Sequence, residues 1–366
     1  MYLSLIVICI LLYYGIKNKT DKRTIKKYVV FITFLLILVS GLRHEAVGND
    51  TYAYMNHFDR LSSMKWSEIM DGFWGAYLHP GENGNGKDPG ELIIIKLLTY
   101  ILPGPRSFIF VVSALLLIPL GVFVYQNSKD LSTSCFFYVF YITMFYPYLP
   151  NSAVRQSFAL ALLLVGYLLL QKEKVWQFIL CLFLSTFIHK SIIISILILP
   201  FYFFKKTKRL YKWSFVLFII MLFAYQYVGL FLSTQSDIYE MYGDNYFTQG
   251  RPAPFMVIIM MTALYIIGLL GLRNDRDAYK NRLIYGGAAM TLVWVVMVRL
   301  DPSIIRLTAY FGPWMGLMVP TSIKLWDKRY FNLIFFIVLM VFVIRAVMTP
   351  DNYHFLWQEM ALHERY

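Results

Sequence analysis

Basic side chains stand at the ends of apolar runs in several places: Arg155 in LPNSAVRQSFALAL, His189 with Lys190 in STFIHKSIII, and Arg299 and Arg306, with Asp301 between them, in VRLDPSIIRLTAYF. A further charged cluster, Arg43, His44, Glu45 and Asp50, follows another apolar run in GLRHEAVGNDTYAY. Arg155 is the sharpest case. It lies five residues past Pro150, which on a helix of ~1.5 Å per residue is roughly 7–8 Å below the surface. An ionisable group inside a span costs at least ~2.5–3.5 kcal/mol unless it is paired or lines a cavity, so an anion is expected beside it. A polyprenyl diphosphate head group is such an anion, with its tail in lipid and its charge at the interface. Arginine suits it because the planar fork donates two parallel hydrogen bonds to phosphate oxygens. Single arginines near span ends also snorkel to the interface. What favours a site is their recurrence on a face otherwise poor in basic residues.

The elements that must hold these residues are membrane spans. The chain of 366 residues is 58% hydrophobic and only 15% charged, with mean hydropathy +0.57; a soluble domain is nearer a quarter charged. Apolar runs of about 15–22 residues recur from end to end, the length that crosses a hydrocarbon core. The fold class expected is all-α, a polytopic membrane protein forming a single transmembrane domain over 1–366. About twelve spans are expected, at 2–16, 28–42, 106–126, 134–149, 152–171, 175–189, 190–204, 213–233, 254–272, 283–299, 303–323 and 330–347. The N-terminal run lacks preceding basic residues and an A-x-A-like cleavage site, so it reads as a retained first span.

Orientation follows from lysine and arginine. The loop KNKTDKRTIKK is cytoplasmic by the positive-inside rule, which puts the N-terminus outside and makes 43–90 the first long extracytoplasmic loop. The segment 91–104 decides the rest. As a partial or interfacial helix ended by Pro103-Gly104-Pro105, it places 172–174, 205–212, 273–282 and 324–329 inside, 234–253 outside as the second long loop, and both termini extracytoplasmic. The cytoplasmic segments then hold most of the 34 basic residues and under a third of the 21 acids. The net charge of +13 thus serves orientation and anionic lipid rather than nucleic acid.

Both long outer loops mix acids with aromatics, among them Trp66, Phe73, Trp74 and Tyr77, then Tyr239, Tyr242, Tyr246 and Phe247. Such rings suit stacking under sugars, and an interfacial aromatic belt would use the same residues. Other chemistry is excluded. GENGNGKD (81–88) has G-x-x-x-x-G-K spacing, but Asp88 replaces the Ser or Thr that would bind magnesium, and no strand precedes it. Cys9, Cys135 and Cys181 lie in apolar runs without disulfide or zinc spacing. No metal and no cofactor is expected.

Several motifs, in order on this topology, resemble the EpsG family of Wzy-type polysaccharide polymerases over essentially the full length. They are Arg43 with Gly48-Asn49-Asp50 and Tyr54; Asp88-Pro89-Gly90-Glu91-Leu92 opening a short helix; Arg155-Gln156 opening a long span; His189-Lys190-Ser191 at a span junction; and Arg306 with Tyr310-Phe311. Gly81 to Gly86 looks like an insertion ahead of the acidic-Pro-Gly segment. The resemblance implies a glycosyltransferase of the bacterial plasma membrane. It would join undecaprenyl-diphosphate-linked repeat units, donor and acceptor, into O-antigen, capsule or exopolysaccharide, with a chain-length regulator as a candidate partner.

In such a transfer an acceptor hydroxyl attacks the anomeric carbon and the lipid diphosphate leaves. Arg155 and Arg306 are expected to stabilise the departing charge, with Arg299 and His189 beside them. Asp50 is the leading candidate for the base, and His44, Glu45 and Asp301 are its rivals. A capping role or a pair with Arg43 would also explain Asp50. Arg43, Tyr54, Gln156 and Tyr310 complete the expected substrate-binding set. A lipid-linked oligosaccharide flippase is the main rival reading, although no duplicated half is visible. A glycan ligase or acyltransferase of the same membrane would share the arginines.

Overall fold

A computed structural model describes residues 1–19, 21–48, 50–79, 88–234, 255–300, 304–349 and 353–360, and these are helical with no strand among them. Among the described residues, seven helices are long and apolar enough to cross a membrane: α2 (Lys22–Gly41), α6 (Pro105–Asn127), α8 (Val154–Gln171), α11 (Thr207–Thr234), α12 (Phe255–Asn274), α13 (Arg282–Val295, continued by a 3-10 turn to Arg299) and α16 (Phe331–Met348). Shorter apolar helices are α1 (Tyr2–Ile16), α7 (Leu131–Met144), α9 (Val175–Ile188) and the segment Lys190–Phe203. That last segment is a 3-10 helix over Lys190–Ile198 followed by α10 (Leu199–Phe203). The expected span 303–323 is divided into α14 (Ile305–Thr308) and α15 (Gly312–Trp326), with Gly312-Pro313 restarting the helix, as proline favours a first turn. The expected loop 234–253 after Thr234, Asp301 and the 81–87 part of the glycine-rich turn lie outside the described residues.

The chain packs as two compact units, Met1–Ile194 with Val341–Tyr366, and Ser195–Met340. In the first, α7 is apolar all round and buried along nearly its whole length, as expected of a helix enclosed by others. Several polar atoms inside this unit pair across helices: Ser40 Oγ with Ser113 Oγ at 2.7 Å, Thr33 Oγ1 with Tyr138 Oη at 2.7 Å, and Tyr146 Oη donating to Leu36 O at 2.6 Å. In the second unit α15 packs on α12 and α13, and α11 on α13.

The expected outer loop 43–90 is largely helical. It forms α3 (Thr51–Ser63) and α4 (Trp66–Leu78), and the chain then enters α5 (Gly90–Thr99). Ten residues span only ~15 Å, about half a hydrocarbon core, so α5 is a partial helix as its Pro-Gly-Pro terminator suggests. A buried lysine ties it to α3: Lys96 Nζ donates to Leu61 O at 2.9 Å, Ser62 O at 3.1 Å and Met64 O at 2.6 Å. An ammonium there satisfies carbonyls that the end of a helix leaves open and complements its dipole.

Candidate functional site

The first unit gathers Arg155, His189 and Tyr54 around two carboxylates, Asp88 and Glu91, that precede and open α5. Asp88 Oδ2 accepts from Arg155 Nη1 at 3.1 Å and faces His189 Nδ1 at 3.2 Å. Its Oδ1 accepts from the Lys190 amide at 3.2 Å, at the start of the 3-10 helix. Arg155 Nε donates to Tyr54 Oη at 2.9 Å and lies 3.5 Å from Glu91 Oε2. Glu91 Oε1 meets His57 Nδ1 of α3 at 3.1 Å. The Asp88 and Glu91 side chains are 6% and 9% exposed, whereas the Arg155 and His189 side chains are 34% and 29% exposed. The acids are the floor of the cluster, and the arginine and histidine form its open side.

Local sequence explains the convergence. α9 ends at His189, whose amide still donates to Ser185 O at 2.9 Å while its own backbone turns extended. Gly90 is required because a Cβ there would stand 2.9 Å from Phe187 O, so α5 can start directly against the end of α9. Arg155 is the second residue of α8, which begins at Val154 after a run of turns from Phe145. It therefore sits in the first helical turn and not one to two turns down, as expected from Pro150. A cation there opposes the helix dipole, and Asp88 and Glu91 compensate it. The anion that the sequence reading sought in a lipid diphosphate is, in the folded chain, first of all a pair of its own acids.

Burial alone would raise the Asp88 carboxyl, but the His189 hydrogen bond and charge, Arg155 and the Lys190 amide together hold it below its ordinary value. Burial, reinforced by the Glu91 charge, pushes the Tyr54 hydroxyl well above its ordinary value, so it remains a neutral acceptor for Arg155. With Asp88 ionised, the proton of a neutral His189 belongs on Nδ1, and Nε2 carries the lone pair. This is the carboxylate-oriented imidazole of general-base catalysis. Neither His189 Nε2 nor Arg155 Nη2 has a partner among the described residues. His57 repeats the pattern more deeply, with Nδ1 on Glu91 and a buried, unpartnered Nε2.

Beneath this cluster, Arg43 has a different setting from the expected substrate-binding one. It is 1% exposed and donates to Ser40 O at 2.5 Å, Ser40 Oγ at 3.1 Å and Thr51 Oγ1 at 3.3 Å. Ser40 Oγ donates to Asn151 Oδ1 at 2.8 Å, and Thr51 Oγ1 to Asn151 O at 2.8 Å. Gly48, at φ +85°, lets the chain pass over Asn151 where any Cβ would clash. This network joins the end of α2 and the start of α3 to the turn before α8, and so sets Tyr54 and Arg155 in register. The C-terminal segment closes over it: His44 N donates to His354 O at 2.8 Å and Leu356 N to Leu42 O at 2.9 Å.

The remaining expected residues are placed as follows. Glu45 pairs with Arg106 at 2.8 Å, and His44 Nδ1 accepts from Ala46 N at 3.1 Å. Asp50 is the N-cap position of α3, and its carbonyl accepts from Tyr54 N at 3.0 Å. Gln156 is buried next to Arg155. In the second unit, Arg299 donates to Leu222 O at 2.7 Å and lies over the rings of Tyr225 at 4.1 Å and Phe255 at 5.7 Å. Arg306 lies in α14, and Tyr310 is fully buried just after it. Sequence reasoning noted the Asp88–Leu92 motif without giving its acids a role, and it missed His57. The signal that could have found the acids was the unbalanced charge of Arg155. Among the described residues no group of three His, Cys, Asp or Glu is arranged to hold a metal ion.

Aromatic rings flank the cluster. Phe73 and Tyr77 of α4 stack at 6.4 Å and 5°, and Tyr77 stacks on Phe187 at 5.8 Å and 15°, two residues before His189. Trp74 and Tyr77 are exposed.

Compared with known protein families, residues 26–358 match the EpsG family. No curated protein and no solved structure matches the chain.

Proposed function

The chain belongs to the EpsG family, and from that premise we propose that it is a membrane glycosyltransferase extending a polysaccharide from undecaprenyl-diphosphate-linked repeat units on the extracytoplasmic face of the plasma membrane. The observation that carries this reading is the His189–Asp88–Arg155 cluster, which combines an oriented base with a guanidinium fork. An acceptor sugar hydroxyl on one lipid-linked unit attacks the anomeric carbon of the donor glycan. The bond from that carbon to the acceptor oxygen forms as its bond to the diphosphate oxygen breaks. The hydroxyl proton passes to His189 Nε2, and undecaprenyl diphosphate departs with the electron pair. Arg155, held through Nε and Nη1 by Tyr54, Glu91 and Asp88, offers Nη2 to the departing phosphate oxygens. Donors fixed in advance cost no reorganisation at the moment charge develops.

Asp88 takes the part of the group that orients and charges the base. His189 thereby displaces Asp50 as first candidate for proton acceptor, because it combines an orienting carboxylate with an unpartnered nitrogen on the open side, whereas the corresponding nitrogen of His57 is buried. The Tyr77–Phe187 stack supplies a ring surface against which a sugar can lie. Twelve crossings and extracytoplasmic termini belong to the same proposal, with the shorter apolar helices crossing where the spans thin the bilayer or tilt little.

The test is a deletion strain complemented with variants. Wild type restores polymer, while His189→Ala and Arg155→Ala reach the membrane at normal level and leave single repeat units on lipid or surface. Loss of every translocated unit in the deletion strain would indicate a flippase, and free lipid-linked polymer would indicate a ligase; either contradicts the proposal.

A further inference from the structure

The start of α11 carries a groove unrelated to the cluster of the first unit. It has a volume of about 390 Å³ and is lined by Lys205, Lys206, Thr207, Lys208, Arg209 and Tyr279, with Ala278 at its edge. Several features of this second-unit groove converge on one ligand chemistry. Four of the lining residues are cationic. In the first turn of α11 the Arg209 and Leu210 amides donate to Lys206 O at 3.0 Å, which leaves the Thr207 and Lys208 amides at the positive end of the dipole, with no acid in that turn to occupy them. Thr207 is 2% exposed, and its hydroxyl is buried without a partner. A buried hydroxyl left unmatched is costly and is rare in folded proteins.

The opposite wall is preset. Arg282 lies over the rings of Tyr279 at 4.4 Å and Tyr202 at 4.9 Å, and donates to Tyr279 O at 3.2 Å and Tyr202 O at 3.1 Å. The nearby acids are already engaged. Asp275 accepts from Asn281 Nδ2 at 2.8 Å and Tyr285 Oη at 2.9 Å, and Asp277 pairs with Lys280 at 3.1 Å. No acid among the described residues lines the groove.

We propose that this groove binds a phosphate group, and that its source is the headgroup of an anionic phospholipid. The Thr207 hydroxyl and the Thr207 and Lys208 amides donate to phosphate oxygens, and the lysines and Arg209 neutralise the charge. The source is argued from the flanks: Phe203, Phe204 and Trp213 are exposed beside the groove in sequence, an apolar surface that acyl chains cover. A basic pocket at a helix end on the lysine-rich side of a membrane protein is the usual setting for such a headgroup.

The test uses the full chain in nanodiscs of phosphatidylcholine containing phosphatidylglycerol, with retained lipid read by native mass spectrometry. Wild type is expected to keep phosphatidylglycerol in preference to phosphatidylcholine. Lys206→Ala and Lys208→Ala, both at exposed positions, are each expected to weaken retention by about fivefold, the worth of one cation near an anionic surface. Thr207→Val, nearly isosteric, is expected to weaken it while raising the thermal unfolding temperature of the lipid-free chain slightly, since the unmatched hydroxyl is removed. Lys172→Ala, at a different basic loop, is expected to retain lipid like wild type. Equal retention by all variants, or equal loss in Lys172→Ala, overturns the site. Inorganic phosphate is added in a second arm to the protein in pure phosphatidylcholine. A stabilisation there that Thr207→Val abolishes overturns the lipid source.

Discussion

The carboxyl of Asp88 accepts from three groups brought from distant parts of the chain: the Arg155 guanidinium, the His189 ring and the Lys190 amide. These partners hold its native pKa below the ordinary value of 3.8. A carboxyl whose pKa is depressed by folding contributes stability that is fully present above the unfolded value and is lost as pH falls through the folded one. The protein in detergent is therefore expected to keep its full Asp88 contribution at neutral pH and to lose it only below 3.8. Asp88→Asn is expected to flatten that acid limb in thermal unfolding measured against pH; an unchanged limb would contradict the pairing. At this scale the site was legible where charge sits in apolar sequence. Arg155 and His189 stand out because ionisable groups in spans are costly. Asp88, Glu91 and His57 do not stand out, because an acid or histidine in a polar segment looks solvated until the fold buries it. Arg43 shows the reverse: its type and place suggested a ligand, yet it is buried, with Nε and Nη1 engaged by Thr51 and Ser40 and Nη2 enclosed without a partner among the described residues.

The element on which the site depends is α5. Its short length lets it lie under α3 and against the end of α9, and it carries Glu91 in its first turn and Lys96 one face further on. Lys96→Met keeps the apolar stem but leaves the carbonyls of Leu61, Ser62 and Met64 without their shared donor. Unsatisfied buried acceptors cost about 1–3 kcal/mol, so thermal unfolding is expected to fall correspondingly, and polymer yield with it as Glu91 loses its anchor. Unfolding identical to wild type would show that the cap carries no load. The partial helix was readable from Pro103-Gly104-Pro105 and from charge parity. The α3–α4 pair was not, since thirteen-residue amphipathic helices inside a polar segment lack both the length and the continuous apolarity that mark a span. Their capping is also local: Lys65 N donates to Glu68 Oε2 at 2.9 Å, a signal easily lost among other polar residues.

For the whole molecule, the all-helical membrane architecture was plain in the sequence, because hydropathy reports burial in lipid directly. The number of crossings was harder to read. Among the described residues seven helices meet the length for a span, and four shorter apolar segments do not, since proline, 3-10 winding and short turns end them early. Orientation is open to a direct check. Cys9, Cys135 and Cys181 are buried, so an impermeant thiol reagent meets little background. Lys172→Cys and Lys280→Cys are expected to react only after the membrane is opened, and Ser67→Cys in intact cells; the opposite pattern would invert the topology. The central claim is that an Asp88-oriented His189 beside Arg155 carries out glycosyl transfer. It is tested most directly by the rate at which the purified protein, reconstituted in lipid, extends labelled lipid-linked repeat units. General-base contributions are typically 10²–10⁴-fold, so His189→Ala, with unfolding unchanged, is predicted to extend chains at least about a hundredfold more slowly than wild type. Extension by that variant at the wild-type rate would contradict the account.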